Sequence, residues 1–472
     1  MSTPQDRLAA ADADLAGLSV LVAGAGRSGA AAARALLGLG AAVTVTDRTG
    51  GDRLSALVGA GARTAVGIGS PPPGTTLVVT SPGWRPDHPL LVAAGRAGLP
   101  VIGEVELAWL LGQRSAAGPA PWLALTGTNG KTTAVRMLAS MLTAGGYRAV
   151  AVGNVGRPVV EAVLADPPFD VLAVELSSFQ LHWSPSPRPR VAAVLNVAED
   201  HLDWHGSMRA YAADKGRIYH PGAVNVFNAD DRCGRRLVEG FADAVGFTLG
   251  VPGPGRLGVR GGVLVDRAFE RPEGSGAGVE LALVADVRPP GPHNVANALA
   301  AAALARAHGV PAAAVAAGLR AFRPDPHRNA TVEVVGGITY VDDSKATNPH
   351  AAGASLSAYR RVVWIAGGQL KGANVDELVA THWERMVGVV LLGADREVIR
   401  DSLARHAPDL PVSDVAATDD TAMVQVVRAA AGLARPGDTV LLAPAAASLD
   451  MFGSYGARGD AFAAAVRELA AR

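Results

Sequence analysis

The stretch WLALTGTNGKTTAVRMLASML, residues 122–142, limits the fold more than any other. An apolar run enters a glycine-rich turn, and an amphipathic segment leaves it. A buried strand feeding a helix through Gly127, Thr128, Asn129, Gly130, Lys131 and Thr132 gathers backbone N–H groups and a helix N-terminus around one point, which is an anion site. Lys131 is expected to reach the β- and γ-phosphates of a nucleotide. The Thr132 hydroxyl is expected on Mg2+, and Thr133 is expected among the nucleotide-binding residues. Position 125 is leucine, so the pattern is the shorter GxxGK[ST] form of the phosphate loop.

The same alternation of apolar run and helical stretch extends to both sides. LSVLVAG (18–24), AAVTVTD (41–47) and TLVVTSPG (76–83) are apolar throughout and not alternating, as buried parallel strands are. GQRSAAGPAP (112–121) has linker composition. VLAVELSS, VAAVLNVAED and AVNVFNADD continue the unit that holds the phosphate loop. Gly- and Pro-rich residues 248–292 predict hairpins at its edge, and Ala-rich helices follow at about 293–308 and 311–321. After FRPDPHR comes a third series, ITYVDDS, RVVWIAGG, VGVVLLG and DTVLLAP. The expected architecture is α/β in three consecutive domains. These are a Rossmann-like domain at 1–115, a central P-loop ATPase-like domain at 116–325, and a second Rossmann-like domain at 326–472.

Composition excludes several classes of function. With 18% charged residues and a formal net charge of zero, the chain shows no electrostatic footprint for nucleic acid or an anionic membrane. The single Cys233 cannot form an intramolecular disulfide and suits a reducing compartment. MSTPQDRLAAADADLAG carries acids where a signal peptide has a basic region, and no uncharged apolar run reaches a membrane-spanning length. A cytoplasmic monomer that touches neither nucleic acid nor membrane is expected.

Candidate site residues cluster at the ends of the expected strands, where open α/β sheets bind ligands. Gly24, Gly26 and Gly29, with Asp47 ending the next strand, read as a dinucleotide fingerprint. Physically this promises only a diphosphate at a helix N-terminus, and a nicotinamide enzyme stays open at this point. Glu175 in VELSSFQ can offer a carboxylate to a hard cation, and His201 in NVAEDHLDWHG stands among acids. In the last domain Asp343, Ser344, Lys345, Thr347, Lys371, Ser448, Phe452 and Tyr455 suggest a small polar, anionic substrate. Only four lysines stand against thirty-nine arginines, and all four fall in such stretches: Lys131, Lys215, Lys345 and Lys371. Lys215, in ADKGRIYH, poses the sharpest demand for an amine that a guanidinium cannot replace.

Taken in order, these stretches resemble the Mur ligase family, ATP-dependent amino-acid ligases of peptidoglycan precursor synthesis. TGTNGKTT and HNVANALA are shared across the family, whereas ELSSFQL, DDSKATN and LLAPAAASLDMF resemble the branch that adds D-glutamate. The resemblance implies an acyl-phosphate reaction between ATP, UDP-N-acetylmuramoyl-L-alanine and D-glutamate. Lys131 and Thr132 match the phosphate loop, and Glu175 and His201 match residues of the metal sites. Asn154 in VGNVG matches a position near the reacting substrate. Asn294 and Asn297 match the adenine-side motif, and Arg328 and Asp343 match further nucleotide contacts. Lys345, Thr347, Lys371, Ser448 and Tyr455 match the region that receives D-glutamate. Gly26, Ser28, Asp47 and the loop Ser81, Pro82, Gly83 would hold the UDP-sugar. Lys215 aligns with a lysine that is carbamylated and so becomes an oxygen ligand for a second Mg2+; Lys131, Lys215, His201 and Asn154 would then form the catalytic set. Three departures stand out: Asp47-Arg48-Thr49 where Asp-Thr-Arg is usual, Asp325 in DPHR, and Gln369 in GGQLK. A ligase for a different amino acid, and an oxidoreductase with an accessory nucleotide domain, remain as alternatives.

Overall fold

The computed structural model describes residues 3–10, 14–115, 118–269, 277–419 and 421–471. The chain packs as two compact units, Met1–Val284 with Ala296–Ala321, and Ala285–Val295 with Phe322–Arg472. The first unit contains two sheets and the second contains one.

The first sheet is parallel, in the order β3-β2-β1-β4-β5. Its strands are β1 (Ser19–Ala23), β2 (Ala42–Asp47), β3 (Arg63–Val66), β4 (Leu77–Thr80) and β5 (Val101–Gly103). The apolar runs mark β1, β2 and β4. β3 is a largely exposed edge strand with no such run, so TLVVTSPG, the third apolar run, supplies the fourth strand, and the loop from Ser81 follows it. The strand order reverses between β1 and β4, and this switch point lies over the turn into the helix Arg27–Gly38.

Gly24 takes φ +104° in that turn, and Gly29 lies so close that an added Cβ would fall on the Gly24 carbonyl oxygen. Gly29→Ala therefore has to push the helix off β1. A loss of about 1–3 kcal/mol is expected, read as a lower urea midpoint than wild type.

The second sheet has nine strands in the order β14-β13-β12-β11-β10-β9-β6-β8-β7. They are β6 (Trp122–Thr126), β7 (Ala149–Gly153), β8 (Val171–Glu175), β9 (Val191–Val194), β10 (Val224–Asn228), β11 (Val245–Phe247), β12 (Arg256–Arg260), β13 (Val263–Asp266) and β14 (Val279–Leu283). Pairing is parallel except at β12–β13 and β13–β14, the hairpin edge expected from the Gly/Pro-rich stretch. β6 is buried along its whole length and sits between β9 and β8, at the point where the order reverses. One apolar core runs through both sheets, from Leu21's neighbours Val20 and Val22 to Trp122, Val174 and Tyr211.

The third sheet has the order β15-β16-β20-β17-β18-β19, parallel apart from the β15–β16 hairpin. Its strands are β15 (Ala330–Val335), β16 (Ile338–Asp342), β17 (Val362–Gly367), β18 (Met386–Leu392), β19 (Val412–Asp414) and β20 (Thr439–Leu442). Both faces are covered by apolar side chains. The loops after β16, β17 and β20 leave neighbouring strands on the same edge. Among the described residues no helix is long and apolar enough to cross a membrane.

Candidate active site

The turn after β6 leads into the helix Lys131–Ala144, with Gly130 as its N-cap at φ +82°. A side chain at 130 would also collide with the Asn297 amide, so glycine is required twice over. The turn is held by β9's exit. Thr128 N–H donates to the Asn196 carbonyl at 2.9 Å, and the Asn196 side chain both accepts from Asn129 N–H (2.9 Å) and donates to the Asn129 carbonyl (3.0 Å). Lys131 Nζ folds back onto the carbonyls of Gly127 and Thr128, each at 2.9 Å.

Glu175, at the end of β8, is 1% exposed. One carboxylate oxygen accepts from the Thr132 hydroxyl and the other from the Asn154 amide, both at 2.8 Å. Three residues singled out from separate stretches thus meet at one carboxylate. Lys215 lies on the helix Met208–Gly216 and is also 1% exposed. Its Nζ donates to the Gly127 carbonyl at 2.8 Å and sits 4.5 Å from the centre of the Tyr211 ring. Burial, and then the charge of Lys131, hold its pKa well below the ordinary lysine range. His201 has φ +54° and packs against Phe179, with ring centroids 4.8 Å apart. Burial lowers its pKa, Lys131 and Lys215 add to that, and Asp200 opposes it, so the ring favours the neutral, ligating form.

The donor set fits Mg2+. The Thr132 hydroxyl and Glu175 carboxylate are hard oxygen donors, and no cluster of three His, Cys, Asp or Glu among the described residues could hold a metal by itself. Mg2+ is commonly held this way, by one or two protein oxygens completed by substrate phosphates and water.

At the first sheet's switch point, Asp47 accepts from Ala25 N–H (2.8 Å) and from Arg48 N–H (2.7 Å). Ser81 approaches Gly24, and Ser28 lies in the first turn after Gly26. A cleft of about 640 Å3 opens beside them, lined by Ala25, Gly26, Arg27, Arg34, Asp52 and Arg53 among others.

In the second unit, Lys345 Nζ stands 4.0 Å over the Tyr455 ring. Gln369 and Ala447 exchange backbone hydrogen bonds at 2.9 Å, which sets the loops carrying Lys371 and Ser448 side by side. Arg328 is 3.9 Å from Asp325. Asp343 accepts from Asn329 N–H and is hydrogen-bonded by Ser355, with burial raising its pKa to about 6. Asn294 falls in this unit, whereas Asn297 belongs to the first.

Two supporting residues are not evident in the sequence. Asn196 works through a side chain that imitates a strand neighbour. Arg458, in the first turn of the last helix, is 1% exposed and donates to Ser344 Oγ and carbonyl (2.9 Å each) and to the Ala446 carbonyl (3.1 Å). An arginine on the apolar side of a helix was the available signal for the second.

Residues 125–305 match the Mur ligase middle domain, and residues 327–446 match the Mur ligase glutamate ligase domain. The chain is 63% identical, over 85% of its length and 86% of the other, to a UDP-N-acetylmuramoylalanine–D-glutamate ligase of Streptomyces avermitilis. It is 60% identical to a protein of the same name from Thermobifida fusca, over 86% and 88% of the two chains. Among solved structures, UDP-N-acetylmuramate-alanine ligase from Thermotoga maritima superposes with a TM-score of 0.59 at 20% identity, covering 96% of this chain and 99% of that one. A pseudomurein peptide ligase from Methanothermus fervidus gives the same score at 17% identity, over 96% and 100%. At such low identity these two speak to the fold alone. The two domain matches and the close relatives leave no room for an oxidoreductase: the chain belongs to the Mur ligase family.

Proposed function

We propose that this enzyme joins D-glutamate to UDP-N-acetylmuramoyl-L-alanine at the expense of ATP, in peptidoglycan precursor synthesis. The observation that carries the mechanism is the buried Glu175 carboxylate gripping Thr132 of the phosphate loop and Asn154 together. The loop N–H groups cradle the ATP phosphates, and Lys131 exchanges its loop carbonyls for phosphate oxygens. Thr132, Glu175 and His201 would hold Mg2+, and the ion would supply positive charge to the phosphoryl group in transfer. The muramoyl-alanine carboxylate attacks the γ-phosphorus, the bond to the ADP oxygen breaks, and an acyl phosphate forms. The amine of D-glutamate then attacks the acyl carbon; phosphate leaves with the bonding pair, and the amide nitrogen loses its proton.

The remaining assignments follow the same reading. Lys215, whose burial favours the unprotonated amine, would take up carbon dioxide with loss of a proton, and its carbamate oxygens would hold a second Mg2+. Residues 1–115 bind the UDP-sugar through Gly26, Ser28, Asp47, Ser81, Pro82 and Gly83. Residues 116–325 bind ATP, with Asn294 and Asn297 toward adenine. Residues 326–472 supply Arg328 and Asp343 to the nucleotide, and Lys345, Thr347, Lys371, Ser448 and Tyr455 to D-glutamate. The protein works as a cytoplasmic monomer.

ADP release with UDP-N-acetylmuramoyl-L-alanine, measured against a panel of D- and L-amino acids, tests this. D-glutamate is expected to exceed L-glutamate and neutral D-amino acids by about a hundredfold or more, because carboxylate-binding groups left unpaired penalise the wrong ligand. Equal rates across the panel would overturn the amino-acid assignment, and ADP release without the UDP-sugar would overturn the acyl-phosphate reaction.

A further inference from the structure

Beside the proposed metal residues lies a polar cluster that the reaction does not use. Asp214 precedes Lys215 on the helix Met208–Gly216, so its side chain leaves the axis about 100° away from that of Lys215. While Lys215 reaches the Gly127 carbonyl, Asp214 turns to two short neighbouring helices, Ser178–His182 and Leu202–His205. Its Oδ2 accepts from Nδ1 of His182 and Nδ1 of His205, both at 3.0 Å, and its Oδ1 pairs with Arg217 at 2.9 Å. A carboxylate only accepts, so His205 carries its proton on Nδ1, and its Nε2 accepts from the Ser178 hydroxyl at 2.9 Å. Ser178, His205 and Asp214 are thus connected as in a nucleophilic triad. Ser178 is only 2% exposed, however, and no substrate can reach it.

The connectivity has another use. Ser178 begins the helix three residues after Glu175, and His205 ends the helix that His201 caps. Helices of five and four residues do not hold themselves in place. The segments bearing Glu175, His201 and Lys215 are therefore tied to the same carboxylate.

We propose that Asp214, through His182 and His205, is a positioning residue that registers Glu175, His201 and Lys215 to one another for Mg2+. The inference rests on the metal and carbamate reading above. Partners outside the ligand shell typically change metal affinity or activity by about 10–100-fold. Asp214→Ala removes the one oxygen that both imidazoles share. Its Mg2+ concentration for half-maximal turnover is expected to rise about tenfold or more, with the KM for D-glutamate near wild type. The 13C resonance of the Lys215 carbamate, recorded in 13C-bicarbonate without nucleotide, is expected to weaken in the same variant. Arg217→Ala, which leaves both histidine bonds intact, should behave as wild type.

A folded Asp214→Ala with wild-type Mg2+ requirement and carbamate signal overturns the proposal. Lys215→Arg, assayed alongside, separates the two ideas. If it is fully active, the carbamate reading falls, and the Mg2+ shift at Asp214 alone decides the positioning of Glu175 and His201. Should Asp214→Ala not fold, His182→Gln and His205→Gln each remove one bond and are scored by the same two measurements.

Discussion

Lys215→Arg yields a folded protein whose turnover is at least about a hundredfold below wild type, a barrier increase of roughly 3 kcal/mol. The reason is chemical and not steric. Burial and the nearby Lys131 hold the Lys215 amine well below its ordinary pKa, which favours the unprotonated form that adds carbon dioxide. A guanidinium stays protonated and cannot become an oxygen ligand. Arginine could still donate to the Gly127 carbonyl, so the loop should keep its shape, and the loss should appear in kcat. Lys215→Ala should recover part of its activity when a small carboxylate such as acetate is added. Turnover above about half of wild type in Lys215→Arg, measured by ADP release, would remove the carbamate from the mechanism.

Glu104→Gln is expected to change how stability depends on pH. Glu104 begins the helix Glu104–Gly112, which follows the first sheet, and its Oε1 accepts from Val160 N–H of the second sheet's layer at 2.7 Å. Its Oε2 is buried without a hydrogen-bond partner. Burial raises its pKa from 4.5 to about 7, against the pull of the Val160 and Val159 amides. The folded pKa lies above the unfolded one, so the native state binds the proton more tightly. The resulting stabilisation is complete below pH 4.5 and is lost as pH rises through about 7. The gap corresponds to about 3 kcal/mol. Glutamine keeps the acceptor and cannot ionise. The stability of Glu104→Gln relative to wild type should therefore climb by about 3 kcal/mol between pH 4 and pH 8. Urea unfolding of both proteins at matched pH reads this difference directly, since all other titrating groups cancel. A difference that does not vary with pH would mean that Glu104 is already ionised when wild type is folded at pH 5.

The elements that could be read from the sequence are those whose burial is written into consecutive residues. β1, β6, β8 and β17 are covered on both faces, so each is an unbroken apolar run. β3, β15 and β19 lie at sheet edges with exposed residues, and their short mixed sequences resemble loops. The phosphate loop was legible because its chemistry is local: a turn, a lysine and a hydroxyl within six residues. Glu175 and Asn154 could be picked from strand ends, but not their meeting at one carboxylate, which depends on β7 and β8 lying in register. Asn196 and Asp214 carry no local signal, because their partners lie 67 residues away in one case, and 32 and 9 in the other. No local pattern reports such a distance.

Arg458 ties the chain ends of β16 and β20 to the first turn of the closing helix. Under the proposed assignment of those loops to the amino acid, a redesign that edits only their lining leaves their spacing unchanged, because that spacing is governed from behind. A library meant to admit a longer or shorter side chain should therefore vary the anchor as well as the wall.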